Sequence, residues 1–267
     1  MPVRGDPSLV DLLGRLAAVE QRVRAAVAAR RATDPDPDDA FRGLYLSDEH
    51  VDTLLRRPPT SPDATPTNPP RDPPARAAGE SVPRLAELAG RLGLTPLDVD
   101  ILLVALAPDL DARFEKLYGY LHDDVTRRRA SPGLVLELCG RSPLDAAARA
   151  RCTAAGPLVA AGLLVVEEPE RPFLTRSLRV PDRIAGHLLG DDRPAPALAA
   201  ALADAPDVGG SAVARLAEVL RDGPGRLAYL RTGPGADGLA VAASATRRAG
   251  RPLLALDLPL PGRPGDP

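Results

Sequence analysis

Residues 233–240 of this chain read Gly233-Pro234-Gly235-Ala236-Asp237-Gly238-Leu239-Ala240. The phosphate-binding loop of nucleotide-binding proteins reads G-x-x-x-x-G-K-[ST] between a strand and a helix. Gly233 and Gly238 fall at the first and sixth positions of that frame, with Gly235 between them. Leu239 stands where the lysine belongs, and Ala240 where the Mg²⁺-holding hydroxyl belongs. Loop N–H groups and a helix N-terminus would still form an anion cradle, but without lysine the β- and γ-phosphates lose their cation. Asp237 adds a negative charge that repels a triphosphate. Taken alone, the frame is equally a Gly/Pro turn. Its surroundings favour a decayed phosphate loop: residues 226–232 read as a short strand, residues 239–250 as a helix, and residues 251–260 as an apolar strand. No second strand ending in paired carboxylates follows.

Other groups capable of chemistry are scattered. Arg127, Arg128 and Arg129 follow Asp123 and Asp124. They are either a phosphate contact or a self-neutralising charged turn at a helix end, and the turn is the simpler reading. His50, His122 and His187 are far apart and make no metal-ligand spacing with cysteine or carboxylate. Asp109, Asp111 and Glu115 read as first-turn carboxylates of a helix, where the dipole favours them. Cys139 and Cys152 are isolated thiols in Ala/Leu-rich surroundings and read as reduced core residues. No catalytic residue and no metal site is assigned.

The elements that must position these residues are mostly helical. Apolar residues make up 44% of the chain and aromatic ones 3%, so the cores must be built from Leu, Val and Ala. Net charge is −2 and the pI about 6.0, without the basic excess of a dedicated nucleic-acid or membrane-surface protein. No apolar run of about 18 residues is present to span a membrane, and the charged N-terminus is not a signal peptide. The cytoplasm is the expected compartment. Residues 8–31 repeat apolar positions at helical spacing behind Ser8. Residues 32–39 are acidic and proline-broken, and a short element follows, with Ser47 ahead of Val51 and Leu55. Residues 58–74 hold eight prolines and no large apolar side chain, which reads as a flexible tether. Gly93 reads as a helix stop, and Thr95-Pro96 as the cap of a helix whose residues 102–106 are apolar all round. Pro108 is expected to open the next helix.

Between residues 131 and 180 the pattern changes. Three short helical stretches, each opened by Ser-Pro or Gly-Pro, precede two β-rich runs around the turn Glu168-Pro169-Glu170-Arg171-Pro172. Three helices and a hairpin is the winged-helix order. Such domains read DNA with the third helix and hold phosphates with the wing. Here residues 153–164 contain no Arg, Lys, Asn or Gln, and the wing turn sets Glu167, Glu168 and Glu170 against Arg171. An acidic wing repels phosphate, so contact with protein is expected rather than with DNA.

Residues 96–139, and more weakly residues 41–55, resemble the N-terminal region of bacterial, mainly actinobacterial, AAA+ ATPases. These carry a winged-helix domain before one or two ATPase modules, and some accompany contractile, phage-tail-like injection systems. The resemblance implies N-terminal helices over 1–57, a Pro-rich linker over 58–80, a helical and winged-helix domain over 81–190, and a partial, degenerate AAA+-like module over 197–267. The implied fold is mainly α with an α+β winged helix, followed by the start of an α/β P-loop-like module. The implied role is a non-catalytic adaptor or assembly region that contacts a protein partner or further AAA+ modules, hexameric in the full-length protein. ATP and Mg²⁺ are expected only for an intact downstream module. In that frame Gly233, Gly235 and Gly238 occupy the loop-glycine positions, and the ATPase activity does not carry over. The alternatives are a winged-helix DNA-binding regulator and an ATPase with an atypical P-loop.

Overall fold

In a 26-residue helix, apolar side chains spaced three and four apart make one continuous stripe that must be buried. Helix α1 (Pro7–Ala32) buries Leu12, Leu16, Val19, Val23 and Val27 on that stripe. The computed structural model describes residues 6–32, 48–56, 82–194, 198, 205–221, 227–233, 237–251, 253 and 255. They divide into two compact units, residues 1–192 and 193–267.

In the first unit, α2 (Asp48–Arg56) and α3 (Arg84–Leu92) lead to α4 (Pro96–Leu110). Gly93 takes the left-handed conformation (φ 62°) that a residue without Cβ adopts at no steric cost. Thr95 and Asp98 form a reciprocal capping box, satisfying two N–H groups that a helix start leaves open. Residues 98–108 of α4 are buried except Asp100, as expected of a helix apolar on nearly every side. Pro108 lies inside α4 rather than opening a new helix. Placed late in the helix, it removes one N–H and leaves the turn intact. As a result Asp109 sits in the last turn of α4, Asp111 is its C-cap, and only Glu115 lies in the first turn of α5 (Arg113–His122).

Then come α6 (Pro132–Leu138), α7 (Ala146–Ala150) and α8 (Pro157–Ala160), followed by the antiparallel hairpin of β1 (Val165–Glu167) and β2 (Ser177–Arg179), and α9 (Asp182–Leu188). The hairpin register pairs Val165 with Arg179 and Glu167 with Ser177. Helix α7 starts at its Asp145 cap, not at Ser142-Pro143. A Cβ on Gly156 would collide with the carbonyls of Ala150 and Arg151, so glycine is what lets α8 follow α7 so closely.

One hydrophobic core runs from Leu12 to Leu188. It takes residues from α1, Val51 from α2, Leu85 from α3, and Leu178 from the wing. This corrects the division into 1–57 and 81–190: α1 packs on α3, α4, α5, α6 and α9. The apolar stripe expected to make α1 a tethered helix instead makes it part of the same core. Buried charges cross the same seam. Arg113 bonds Glu20 on α1 at 3.1 Å and Asp111 at 2.8 Å, all three being nearly inaccessible. Arg113 also reaches the Leu54 carbonyl at the end of α2 at 3.2 Å, and Arg24 of α1 reaches that of Leu55. Residues 33–47, including the acidic stretch and Ser47, and the expected linker over 58–80 lie outside the described residues.

The second unit contains α10 (Ser211–Arg221) and α11 (Gly238–Arg248), which bury Val213, Ala217 and Ala245 between them. Among the described residues, β1 and β2 are the only strands. Of the strand expected over 226–232, the described residues 227–232 have no ladder, and Leu227 and Tyr229 are 98% and 88% exposed. A strand needs a neighbour to pair its N–H and C=O groups, and none is described here. Among the described residues, the expected first strand of a P-loop-like module is therefore corrected to an extended approach, and the unit holds a helix pair. The second expected strand, over 251–260, lies almost wholly outside the described residues.

Candidate functional site

The glycine frame can be judged at its described positions. Gly233 lies in the extended approach and Gly238 is the first residue of α11, while Gly235 lies outside the described residues. Asp237 is the N-cap of α11, and its carboxylate accepts from the Ala240 N–H at 3.0 Å. One of the helix-start donors that would meet a phosphate is thus taken by the chain's own carboxylate. Gly238 also has a packing reason to be glycine, since a Cβ there would lie 2.8 Å from the Thr232 methyl group. Leu239 and Ala240 continue the helix and supply no cation or metal hydroxyl. At its described positions 237–240 the frame is a capped helix start.

A different arrangement emerges at the wing. The Leu178 N–H of β2 donates to the Ala130 carbonyl at 2.9 Å, which holds the loop before α6 against the hairpin. A cleft of about 320 Å³ opens between them. Its walls carry Arg127, Arg128 and Arg129 from the loop, Arg171 and Arg176 from the wing, and two carboxylates, Glu167 and Glu168. Both carboxylates are engaged, Glu167 by Arg179 at 2.6 Å and Glu168 by Arg171 at 2.8 Å. Arg127 lies 3.3 Å from Asp124, Arg128 3.8 Å from Glu115, and Arg129 3.4 Å from Asp109. Among the described residues no carboxylate pairs with Arg176. It donates to the carbonyls of Arg171 at 3.0 Å and Pro169 at 2.8 Å, and so braces the wing turn. The wing is less acidic than its first strand and turn suggested, because the returning strand and the 127–129 loop bring their arginines to the same place.

His122 lines this cleft, with Nε2 3.0 Å from the Ser131 hydroxyl. Burial holds its pKa below the ordinary imidazole value, and Arg127 nearby pushes the same way. It is neutral at pH 7 and adds no charge to the arginines. The other histidines are elsewhere: His187 Nδ1 lies 2.7 Å from Asp192, and His50 Nε2 3.4 Å from Lys116. Among the described residues no three His, Cys, Asp or Glu side chains cluster as metal ligands would. Both cysteines are free, and burial raises Cys139 to about 11 and Cys152 to about 12, so neither is a ready thiolate.

The face that would read DNA is poor in donors. Helix α8 is four residues long, Leu158 is buried, and Ala154, Ala155, Ala160, Ala161 and Gly162 are the exposed positions around it. The Thr153 hydroxyl donates to the Ala150 carbonyl at 2.8 Å.

A family model described as "Winged helix domain, variant" matches residues 11–202, which is most of the chain. The chain belongs to that family. The match begins within α1 and ends beyond α9, so the winged helix and the N-terminal helices fall within one family unit, as they share one core. No curated protein and no solved structure matches the chain. Among the described residues no helix is long and apolar enough to cross a membrane.

Proposed function

We propose that this winged helix is a protein-contact module and that the chain acts as a non-catalytic adaptor region, with an AAA+ machine as its setting. The observation that carries this reading is α8. Four residues make barely one turn, too short to lie along a major groove, and the exposed positions around it are alanines and a glycine, which offer no side-chain hydrogen bond. The AAA+ setting rests on the resemblance of residues 96–139 to the front regions of such ATPases. In the C-terminal unit, Asp237 caps the helix start and lysine is missing from the glycine frame, which supports the non-catalytic reading.

Fluorescence anisotropy with duplex DNA at physiological salt tests the reading. Binding no tighter than the nonspecific range, roughly 10⁻⁴–10⁻⁶ M, is expected. Submicromolar, sequence-selective binding would overturn it in favour of a DNA-binding regulator.

A further inference from the structure

We propose that the cleft between the 126–129 loop and the wing is a docking site for an acidic segment of a partner protein, with its guanidiniums taking closely spaced carboxylates. This deepens the protein-contact reading and rests on it. Five arginines from two elements converge on one concave space of about 320 Å³, room for one or two acidic side chains. Arg176 is held in place by two carbonyls, with the Phe173 ring 6.0 Å from its guanidinium, and no carboxylate pairs with it among the described residues. Arg128 is 71% exposed, with its carboxylate 3.8 Å away. The contacts of Arg127 and Arg129, at 3.3 and 3.4 Å, are longer than the 2.7–2.9 Å of a good charge-assisted hydrogen bond. An incoming carboxylate therefore gains short bonds while displacing only loose ones. The two glutamates in the walls are each tied to an arginine and do not close the cleft.

The shape favours a peptide over a nucleic-acid backbone. Phosphates of a duplex recur along a path, and the exposed positions around α8 offer alanine and glycine rather than cations. A short acidic segment needs only the concave cluster itself.

The test is fluorescence anisotropy of a fluorescein-labelled hexaglutamate peptide with the full chain at physiological salt. Saturable binding is expected, weakened roughly tenfold by Arg128→Gln and by Arg176→Gln, the scale of one lost charge-assisted hydrogen bond. Arg91→Gln, at a 73% exposed arginine on α3, should leave binding unchanged. Arg176 braces the wing, so its variant is read alongside its thermal melt, while Arg128 is exposed enough for its replacement to leave the fold intact. Absence of saturation, or equal weakening by Arg91→Gln, overturns the proposal. If DNA also fails to bind, the protein-contact reading survives. Duplex DNA that binds more tightly than the peptide and loses affinity in the same two variants would overturn the proposal and the protein-contact reading together.

Discussion

The glycine loop of the C-terminal unit and the arginine cleft of the N-terminal unit both hold groups that suit an anion, and they have spent them differently. At the loop, the helix-start N–H already bonds Asp237, and the two side chains that would add a cation or a metal ligand are Leu239 and Ala240. At the cleft, the donors are side chains held from behind, by carbonyls for Arg176 and by loosely placed carboxylates for Arg127–129. A motif records which residue types are present. Whether their donors are free depends on what the chain itself has bonded to them. The cores behind the two sites differ in the same sense: among the described residues, thirty buried hydrophobic residues form the cluster in one unit and three in the other.

The largest expected effect tests the N-terminal framework. Arg113→Ala removes the buried cation that Glu20 and Asp111 share, while Glu20 keeps its pair with Arg24. Removing one partner of a buried ionic group costs about 3–5 kcal/mol, and the end of α2 loses its guanidinium contact as well. A thermal or urea melt should show a correspondingly large loss. A change near zero would mean that α1 and α5 are not held together as described.

Leu12→Ala comes next, at about 2–5 kcal/mol, because Leu12 is buried in the shared core. The outcome separates two pictures of α1. A helix on an independent tether would lose almost nothing from the main unfolding transition, whereas a core helix loses the full cavity cost.

That contrast shows how far the fold was legible. Local signals were readable: the Thr95 cap, the Gly93 stop, the Ser131 cap, the apolar α4 and the order of three helices and a hairpin all follow from neighbours in sequence. The docking of α1 was not, because Arg113 and Glu20 are 93 residues apart and nothing local announces their bond. The strand expected over 226–232 failed for the converse reason. Its pattern was local, but among the described residues 227–233 there is no partner to pair it. At the wing, the turn was read with its three glutamates, and the neutralising pair Glu167–Arg179 was missed. The hairpin register makes that a diagonal cross-strand pair, so the signal was present once the hairpin was recognised. The approach of the 127–129 loop depends on the Ala130–Leu178 bond, for which the sequence carries no sign.

Asp237→Ala probes the loop side of the comparison at a smaller scale. Loss of the cap should cost the C-terminal unit about 1 kcal/mol. It should not create an ATPase: phosphate release from pure protein with ATP and Mg²⁺ is expected to stay at background in both the parent chain and the variant. Nucleotide binding that appears only when Asp237 is removed would show that the loop is a phosphate cradle plugged by its own carboxylate, and the contrast with the cleft would narrow to one residue. Hydrolysis by the parent chain that Gly238→Asp abolishes would end the non-catalytic reading outright.

The smallest effect comes from His122, on the edge of the cleft. Its folded pKa lies below the ordinary value of 6.5, chiefly because burial disfavours the charged ring. The unfolded chain therefore takes up a proton at a pH where the folded chain does not. Stability then falls as pH drops from about 6.5 toward the lowered folded pKa, and levels off below it. Above 6.5 both states are neutral and the group contributes no pH dependence. Melts of the parent chain and His122→Gln between pH 7.5 and 5 isolate this contribution. The variant should lose less stability on acidification, and the two curves should run parallel above pH 7. Asp192 does not confuse the measurement, because the Arg84 hydrogen bond holds its carboxyl at about 2, well below this window. If the variant and the parent lose stability equally, His122 is not held neutral by the cleft wall, and the packing of the 126–131 loop over it is looser than the Ser131 contact indicates.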